Sequence, residues 1–472
     1  MAPTRRGFLN GLALAGLGAA LALAGATEPA ARRGAFRPLS DREEFGHLLR
    51  RAGFGAGPGE VEAHQALGWE GAVDRLVNYE KVPNDSLEAR LAELRLDLTK
   101  PQELQRWWLL RMAYTARPLE EKLTLFWHGL LTSGLSKAPP PLMLAQNQFL
   151  REHALADFGT ILKGIARDPA MMRWLDIAGS VRGRPNENYA RELMELFTLG
   201  IGNYTEPDVR EAARAFTGYT VDREGRVSFV RSRHDDGLKT VLGRTGHWGP
   251  DDIVDIILDQ PVAAAFLAGK LLKFFVRPDP SPEATVEVAR TLRETGYSIK
   301  AAIRKVFTLA EFRSPAAYRS LVKSPAEYAA GTLRQLGVET DGAGLPGLVN
   351  QMGQTLFNPP NVAGWPGGPA WLNTATWLAR LNFANRVATD RRGVRVDPGR
   401  WFPSGQLPAD PAGFVDRLGE LLLDGNVGPE QRAVLLDFGS ESGLALDPAR
   451  WFDSRGRAII YLMLALPEYH LA

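Results

Sequence analysis

The sequence predicts a mainly α-helical protein, one large multi-helix domain carrying a single small antiparallel β-meander. Three observations predict it. Apolar residues recur at helical spacing along most of the chain, as in Leu119, Leu123, Phe126, Trp127 and Leu130. Helix-start chemistry recurs as well: Ser324-Pro325-Ala326-Glu327 is a capping box, and Pro261 fits the first position of a helix. Short β-type runs bounded by turn residues cluster in one place only, between 219 and 242.

A chain of 472 residues can bury one large core or two ordinary ones. Its 56 Lys and Arg nearly balance its 54 Asp and Glu, so there is no electrostatic case for a nucleic-acid partner. The absence of cysteine excludes disulfides, zinc-thiolate sites, Fe–S clusters, a cysteine nucleophile and a lipoprotein anchor. Thr4-Arg5-Arg6-Gly7-Phe8-Leu9 is a twin-arginine pattern. An uncharged run from Gly11 to Ala24 and the small residues Ala24-Gly25-Ala26 follow it. Residues 1–26 therefore read as a Tat signal peptide, with an uncleaved anchor or a cytoplasmic tail as the alternatives. The expected location is periplasmic or extracellular, with membrane contact only through the signal before cleavage. A linker at 27–40 leads to a main helical domain at 41–390, and a helical C-terminal region at 391–472 is expected to pack on it.

Helical patterning begins at Asp41 with Phe45, Leu48 and Leu49. The Gly-rich stretch from Gly53 to Gly59 lacks the Gly-Lys-Ser/Thr ending of a P-loop and reads as a helix–helix turn. Helices are expected at 61–79, 101–116 and 118–131. His128 falls off the apolar stripe of the last, beside Thr124 and Glu121. It reads either as a surface or second-interface histidine or as a ligand or proton carrier facing the helix of Glu192. Helices at 142–153, 157–167 and 169–176 precede the densest polar stretch, from Pro185 to Val221. On a wheel of about 100° per residue, Glu187, Arg191 and Glu195 form a polar wedge, whereas Glu192 lies on the rim of the apolar arc. An acid there is expected to be paired, protonated or coordinating. Gly200 and Gly202 stop this helix, and Thr205 with Asp208 caps the next.

Runs at 219–221, 227–230 and 238–242, separated by turn-like residues, predict the meander. From Pro250 the chain is helical again, except for an ordered loop from Asn358 to Pro369, rich in Pro and Gly. A helix over about 370–388 follows. The tail echoes itself: Asp397-Pro398-Gly399-Arg400-Trp401-Phe402 recurs as Asp447-Pro448-Ala449-Arg450-Trp451-Phe452.

Several of these segments together resemble a known family. The carriers are His47-Leu48-Leu49-Arg50-Arg51-Ala52-Gly53-Phe54-Gly55, Phe126-Trp127-His128-Gly129 and Asn186-Glu187-Asn188-Tyr189-Ala190-Arg191-Glu192-Leu193. Further carriers are Ala213-Arg214-Ala215-Phe216-Thr217-Gly218, His234-Asp235-Asp236-Gly237-Leu238-Lys239 and Trp365-Pro366-Gly367-Gly368. The chain resembles the bacterial domain-of-unknown-function family numbered 1800. That resemblance implies export and an exported partner encoded nearby, from the family numbered 1501. It implies no catalytic assignment. Where members often have histidine after the Glu-Leu-Met-Glu-Leu run, this chain has Phe197, which weakens a metal site built on that position.

Two functional readings follow. The first is a hydrolase-like exported enzyme with Glu192, His128, His234 and Asp236 as catalytic candidates and Arg191 and Lys239 as charge partners. Carboxylate and imidazole would hold a divalent metal, the cofactor this reading would use, or act directly as acid and base. No His-Glu-x-x-His spacing is present. Against it, Glu187, Arg191 and Glu195 form an i, i+4, i+8 ion ladder, Glu192 pairs with Arg214 or Arg51, and His-Asp-Asp-Gly is a turn. The second reading is a non-catalytic binding or assembly protein of the cell envelope. Asn361 and Trp365 are its binding candidates, and an aromatic face would stack on sugar rings. The chain lacks a Gly-x-Ser-x-Gly elbow, and its β content is too small for an α/β-hydrolase or a Rossmann sheet.

Overall fold

The computed structural model describes residues 37–408, 410–440 and 447–472. The twin-arginine segment and the first part of the linker lie outside them. The described chain is mainly α-helical. The elements that position the site are α1 (Asp41–Arg51), α2 (Pro101–Tyr114), α3 (Pro118–Leu130), α4 (Pro140–Glu152), α5 (Asn188–Glu192) and α6 (Glu206–Ala215). After the small strands come α7 (Pro261–Phe275), α8 (Pro325–Gln335), α9 (Thr374–Thr389), α10 (Pro411–Leu423) and α11 (Arg457–Leu464).

The Thr205 and Ser324 caps are those the sequence signals, and Ser40 is a third that it does not single out: each hydroxyl accepts from the backbone N–H three residues on, and the acid at that position bonds back to the cap. Proline opens α2, α3, α4, α7, α8 and α10, where its missing N–H has no helical partner to lose.

Two apolar cores share the chain, and α3 lies between them. Its stripe of Leu119, Leu123, Phe126, Trp127 and Leu130 enters the first core, with α1, α6 and α7. Leu125 of the same helix enters the second, with α2, α8 and α9. A helix wetted on neither face has no outlet for its polar residues, so Glu121, Lys122, Thr124 and His128 are buried with the rest. The second core also takes Val394, Trp401, Phe414, Leu418, Ile459 and Tyr469 from beyond residue 390. The tail echo is structural. Asp397 and Asp447 each cap a short turn with proline at its start, and the two turns deliver Trp401 and Trp451 to Phe414 at ring distances of 5.7 and 5.1 Å.

The β content is small and antiparallel but is not one meander. β1 (Tyr219–Val221) pairs with β2 (Val227–Phe229), β3 (Lys239–Val241) with β4 (Arg244–Gly246), and β5 (Glu339–Thr340) with β6 (Val394–Arg395). The third run turns back on itself instead of extending the first hairpin. Leu242 and Gly243 have φ of 48° and 80°, and two successive positive-φ residues make the tight turn that matches strand twist. The predicted helix after Pro185 also differs. α5 passes at Leu193 into a π-helical turn to Thr198, whose hydroxyl donates to the Leu193 carbonyl.

The Asn358–Pro369 loop is a strap bound to the end of α3. The Leu135 N–H donates to the Phe357 carbonyl at 2.9 Å, and the Thr132 hydroxyl donates to the Val362 carbonyl at 2.5 Å. Gly364 has φ of 85° in this structure, and a Cβ there would lie 2.5 Å from the Gly129 carbonyl oxygen. Only glycine permits so close an approach at that φ.

Candidate ligand cleft

The sequence-predicted residues fall into three environments. His128 is buried in an aromatic box, its ring 5.5 Å from Trp108, 5.8 Å from Phe357 and 5.6 Å from Trp365. Burial lowers its pKa to about 4, so the imidazole is neutral near pH 7, and Nε2 has no partner among the described residues.

Glu192 is half-buried. Burial raises its pKa, the neighbouring Glu195 raises it further, and Arg191 opposes them. Arg191 is committed elsewhere, to Glu206 at 2.7 Å and Glu187 at 3.2 Å. Glu195 accepts from the Tyr204 hydroxyl at 2.5 Å, so the expected ladder stops at Arg191. Neither proposed arginine reaches Glu192. Arg214 binds Asp235 at 2.8 Å and Glu211 at 2.6 Å, and Arg51 donates to the Ala317 carbonyl at 2.8 Å. Among the described residues Glu192 has no ion-pair partner.

His234, Asp236 and Lys239 belong to a third place, where two of the sequence motifs interlock. His234 Nδ1 lies 2.8 Å from the Thr217 carbonyl oxygen, and its Nε2 is 3.8 Å from Asp236. Thr217 Oγ1 accepts from the Asp235 N–H at 2.9 Å. The Arg214 guanidinium holds the Asp235 carboxyl down to about 2. Asp236 pairs with Arg231 at 3.0 Å. The Lys239 ammonium donates to the Gly237 carbonyl at 3.1 Å, and burial lowers its pKa. His-Asp-Asp-Gly is thus a turn clamped onto the end of α6. Among the described residues no three His, Asp or Glu side chains converge as a metal site requires, so Glu192, His128, His234 and Asp236 do not fit a shared divalent ion.

Of the eight candidates, Trp365 alone lines the aromatic-walled cleft between α3, α7 and the strap. That cleft encloses about 410 Å³, within the roughly 300–1,000 Å³ of small-molecule sites. Leu125, Phe126, Gly129 and Leu130 of α3 form one wall, and Lys270, Lys273 and Phe274 of α7 another. The strap contributes Val362, Ala363 and Trp365 to Gly368, with Trp371 beyond it. Leu196, one turn past Glu192, also reaches it. Asn361 does not; it is exposed, and its Oδ1 accepts from the Ala363 N–H at 2.9 Å, shaping the strap.

Besides the two lysines, the polar lining is Ser324, Glu327 and Gln354. Glu327 accepts from the Ser324 N–H at 2.7 Å and pairs with Lys122, which is buried in α3. Burial works to raise the Glu327 pKa, but Lys122 and Ser324 outweigh it and hold the carboxyl below its usual value. Gln354 is 3% exposed; its Oε1 accepts from the Ala326 N–H at 2.9 Å, while its Nε2 has no partner among the described residues. Lys270 and Lys273 are exposed and, among the described residues, have no acidic partner. The cleft walls withdraw water from Lys270, and Lys273 one turn on repels it, so its pKa lies below the ordinary lysine value.

Sequence reasoning missed these groups. Lys270 and Lys273 were visible as like charges three apart on a predicted helix, a mildly destabilising pairing. Glu327 was legible only as a capping residue, and Gln354 carried no signal.

A family model described as protein of unknown function (DUF1800) matches residues 47–471. Comparison with curated proteins and with solved structures returns no match.

Proposed function

Starting from a chain that belongs to the DUF1800 family, for which no function is assigned, we propose a binding protein whose working site is the cleft between α3, α7 and the strap. Its ligand is anionic and carries an apolar or ring-shaped body. Export by the Tat route to the periplasm or beyond belongs to the same proposal. The observation that carries it is the pair Lys270 and Lys273, two cations on an aromatic-walled cleft with no acidic partner among the described residues. Several buried cations are matched by acids, Arg50 with Asp424, Arg111 and Arg151 with Glu121, Lys122 with Glu327, whereas Arg51 and Arg380 rest on carbonyl oxygens and Lys323 on the Tyr469 ring. Like charges placed together without counter-charge cost stability and are relieved by a bound anion. The hydrolase-like reading has its four candidates divided among three environments, only His234 and Asp236 together, and none of them lines this cleft.

Titration of the purified chain with naphthalene-2-sulfonate and with naphthalene-2-methanol, read by tryptophan fluorescence, tests the proposal. The two probes share an apolar body and differ in charge. The sulfonate is expected to bind roughly tenfold more tightly, from about 1.4 kcal/mol shared by two partly exposed ion pairs. Lys270→Gln with Lys273→Gln should abolish that preference. Equal affinity of both probes, or a preference that survives in the double variant, would refute it.

A further inference from the structure

The polar lining of the cleft narrows the ligand beyond an anion with a ring. We infer that the cleft binds an acidic saccharide, with hydroxyls on Glu327 and Gln354, the ring face on Trp365, and the acid group on Lys270 and Lys273.

This rests on the cleft being a ligand site, as proposed above, and three observations carry it further. The first is the paired donor and acceptor. Gln354 is almost fully buried and its amide is oriented by Ala326, so Nε2 is left as a free N–H donor in the lining. The Glu327 carboxylate has one oxygen on Lys122 and the other on the Ser324 N–H, and each oxygen keeps acceptor capacity. A hydroxyl both donates and accepts, so a polyol satisfies this pair, whereas a hydrocarbon leaves both groups unpaired and a simple carboxylate accepts from Gln354 but has nothing to donate to Glu327.

The second is the fixed aromatic wall. Trp365 is half-buried and held from behind by His128, on a strap bound to α3 through Thr132 and Leu135. A ring fixed before binding loses little freedom when it packs on the C–H face of a sugar.

The third is the place left for the acid. α8 points its N-terminus toward the cleft lining, where an anion is ordinarily welcome. Its first amides are already taken: the Ala326 N–H by Gln354 and the Glu327 N–H by Ser324, with Pro325 contributing none. The acid group therefore falls to Lys270 and Lys273. An acidic peptide is the weaker fit, because none of the lining residues belongs to a strand whose edge would pair with its backbone.

Calorimetric titration of the purified chain separates these terms with three probes. Trigalacturonate carries ring, hydroxyls and acid; its methyl ester lacks the charge; propane-1,2,3-tricarboxylate lacks ring and hydroxyls. Trigalacturonate is expected to bind at least tenfold more tightly than either. Lys270→Gln with Lys273→Gln should bring it down to the affinity of its ester. Gln354→Leu should weaken it about fivefold while leaving naphthalene-2-sulfonate unchanged, with the thermal midpoint as the folding control. A sulfated galactotriose binding in place of the uronate would identify the acid as a sulfate ester within the same class. The inference is overturned, with the cleft reading intact, if naphthalene-2-sulfonate binds at the lysines and no acidic saccharide does. It is also overturned if the ester or the tricarboxylate binds as tightly as trigalacturonate, or if an acidic peptide such as tetraglutamate binds tenfold more tightly than any saccharide. If neither the sulfonate nor any saccharide binds, both readings fall.

Discussion

Glu121→Gln is the sharpest test of the polar interior that supports the cleft wall. Glu121 is fully buried in α3 and accepts from Trp108 Nε1 at 3.1 Å, Arg111 Nε at 3.0 Å, and Arg151 at 2.6 and 2.9 Å. Trp108 also packs on His128, which packs on Trp365, so this carboxylate stands at the root of the aromatic wall. Removing one partner of a buried ion pair costs ~3–5 kcal/mol. The geometry puts this variant near the lower end. Arg111 keeps Glu88 at 2.7 and 3.0 Å, Arg151 keeps Asn147 at 2.7 Å, and the new amide oxygen still accepts one bond. At ~2.1 cal/mol/K per residue, ~430 ordered residues give an unfolding entropy of ~0.9 kcal/mol/K, so a loss of ~3 kcal/mol lowers the thermal midpoint by ~3 °C. The pH dependence has a definite sign. Burial works to raise the Glu121 pKa, but Arg151 and Arg111 outweigh it and leave it below the usual carboxylate value. The contribution is therefore present above the unfolded-state pKa and is lost as pH falls through the lower folded-state value. Scanning calorimetry should show wild type and variant separated at pH 7 and converging below about pH 4. A shift under ~0.5 °C at pH 7, or a gap that stays constant down to pH 3, would refute the reasoning.

Three further variants probe other parts of the same account. Glu192→Gln should leave the midpoint unchanged or slightly raised at pH 7, because burial and Glu195 disfavour the ionised acid and no described cation pairs with it; a fall beyond ~3 °C would mean an essential partner. Gly364→Ala forces an alanine to φ of 85° and its Cβ to 2.5 Å from the Gly129 carbonyl oxygen. It should cost at least ~1–2 kcal/mol and red-shift tryptophan emission as the strap lifts from α3, and an unchanged spectrum and midpoint would sink the rigid-strap picture. His128→Phe should flatten the acid limb of stability. Burial holds the imidazole pKa at about 4 against 6.5, so the wild type is stabilised fully above pH 6.5 and loses that contribution, at most about 3 kcal/mol, as pH falls toward 4. Parallel midpoint curves for the two proteins between pH 7 and 4 would contradict it.

The helical architecture was legible because its signals are local. A capping serine, a proline at the first turn and a 3.6-residue stripe act within one helix and need no knowledge of what stands opposite. Strand pairing is not local. Arg244-Thr245-Gly246 contains little to mark a strand, and it is one only because Leu242 and Gly243 fold it back on β3. The candidate site shows the same division. That His234 and Asp236 are neighbours followed from their two-residue separation, as did their turn. That Arg214 serves Asp235 and not Glu192 did not follow, because a helical wheel gives the direction of a side chain and not the identity of its partner. His128 was placed off the apolar stripe, correctly as geometry. Its environment depended on α2 and the strap covering the second face of α3, which lie far away in sequence.

Density of polar residues along this chain marks internal fastening more than chemistry. The motif around Arg214 and the motif around His234 bind each other; the motif containing Arg50 reaches Asp424, 374 residues away, with both side chains under 5% exposed. Lys122 on the central helix ties α3 to the capping box of α8 through Glu327. These charged groups are buried or half-buried and matched, and a matched buried pair contributes specificity of packing more readily than net stability. A protein with no cysteine and two cores joined along one doubly buried helix has a clear use for such ties, since apolar contact alone tolerates sliding of one core on the other. The groups available to an outside molecule are then the ones left unmatched where a cleft is open. Lys273 and the Gln354 amide meet that description, as does Lys270, whose ammonium lies 5.1 Å from the Phe266 ring but has no acidic partner among the described residues. On the proposed reading, unmatched polarity at a concave, aromatic-walled surface is therefore the better guide to function in this fold than the richest run of acids and histidines.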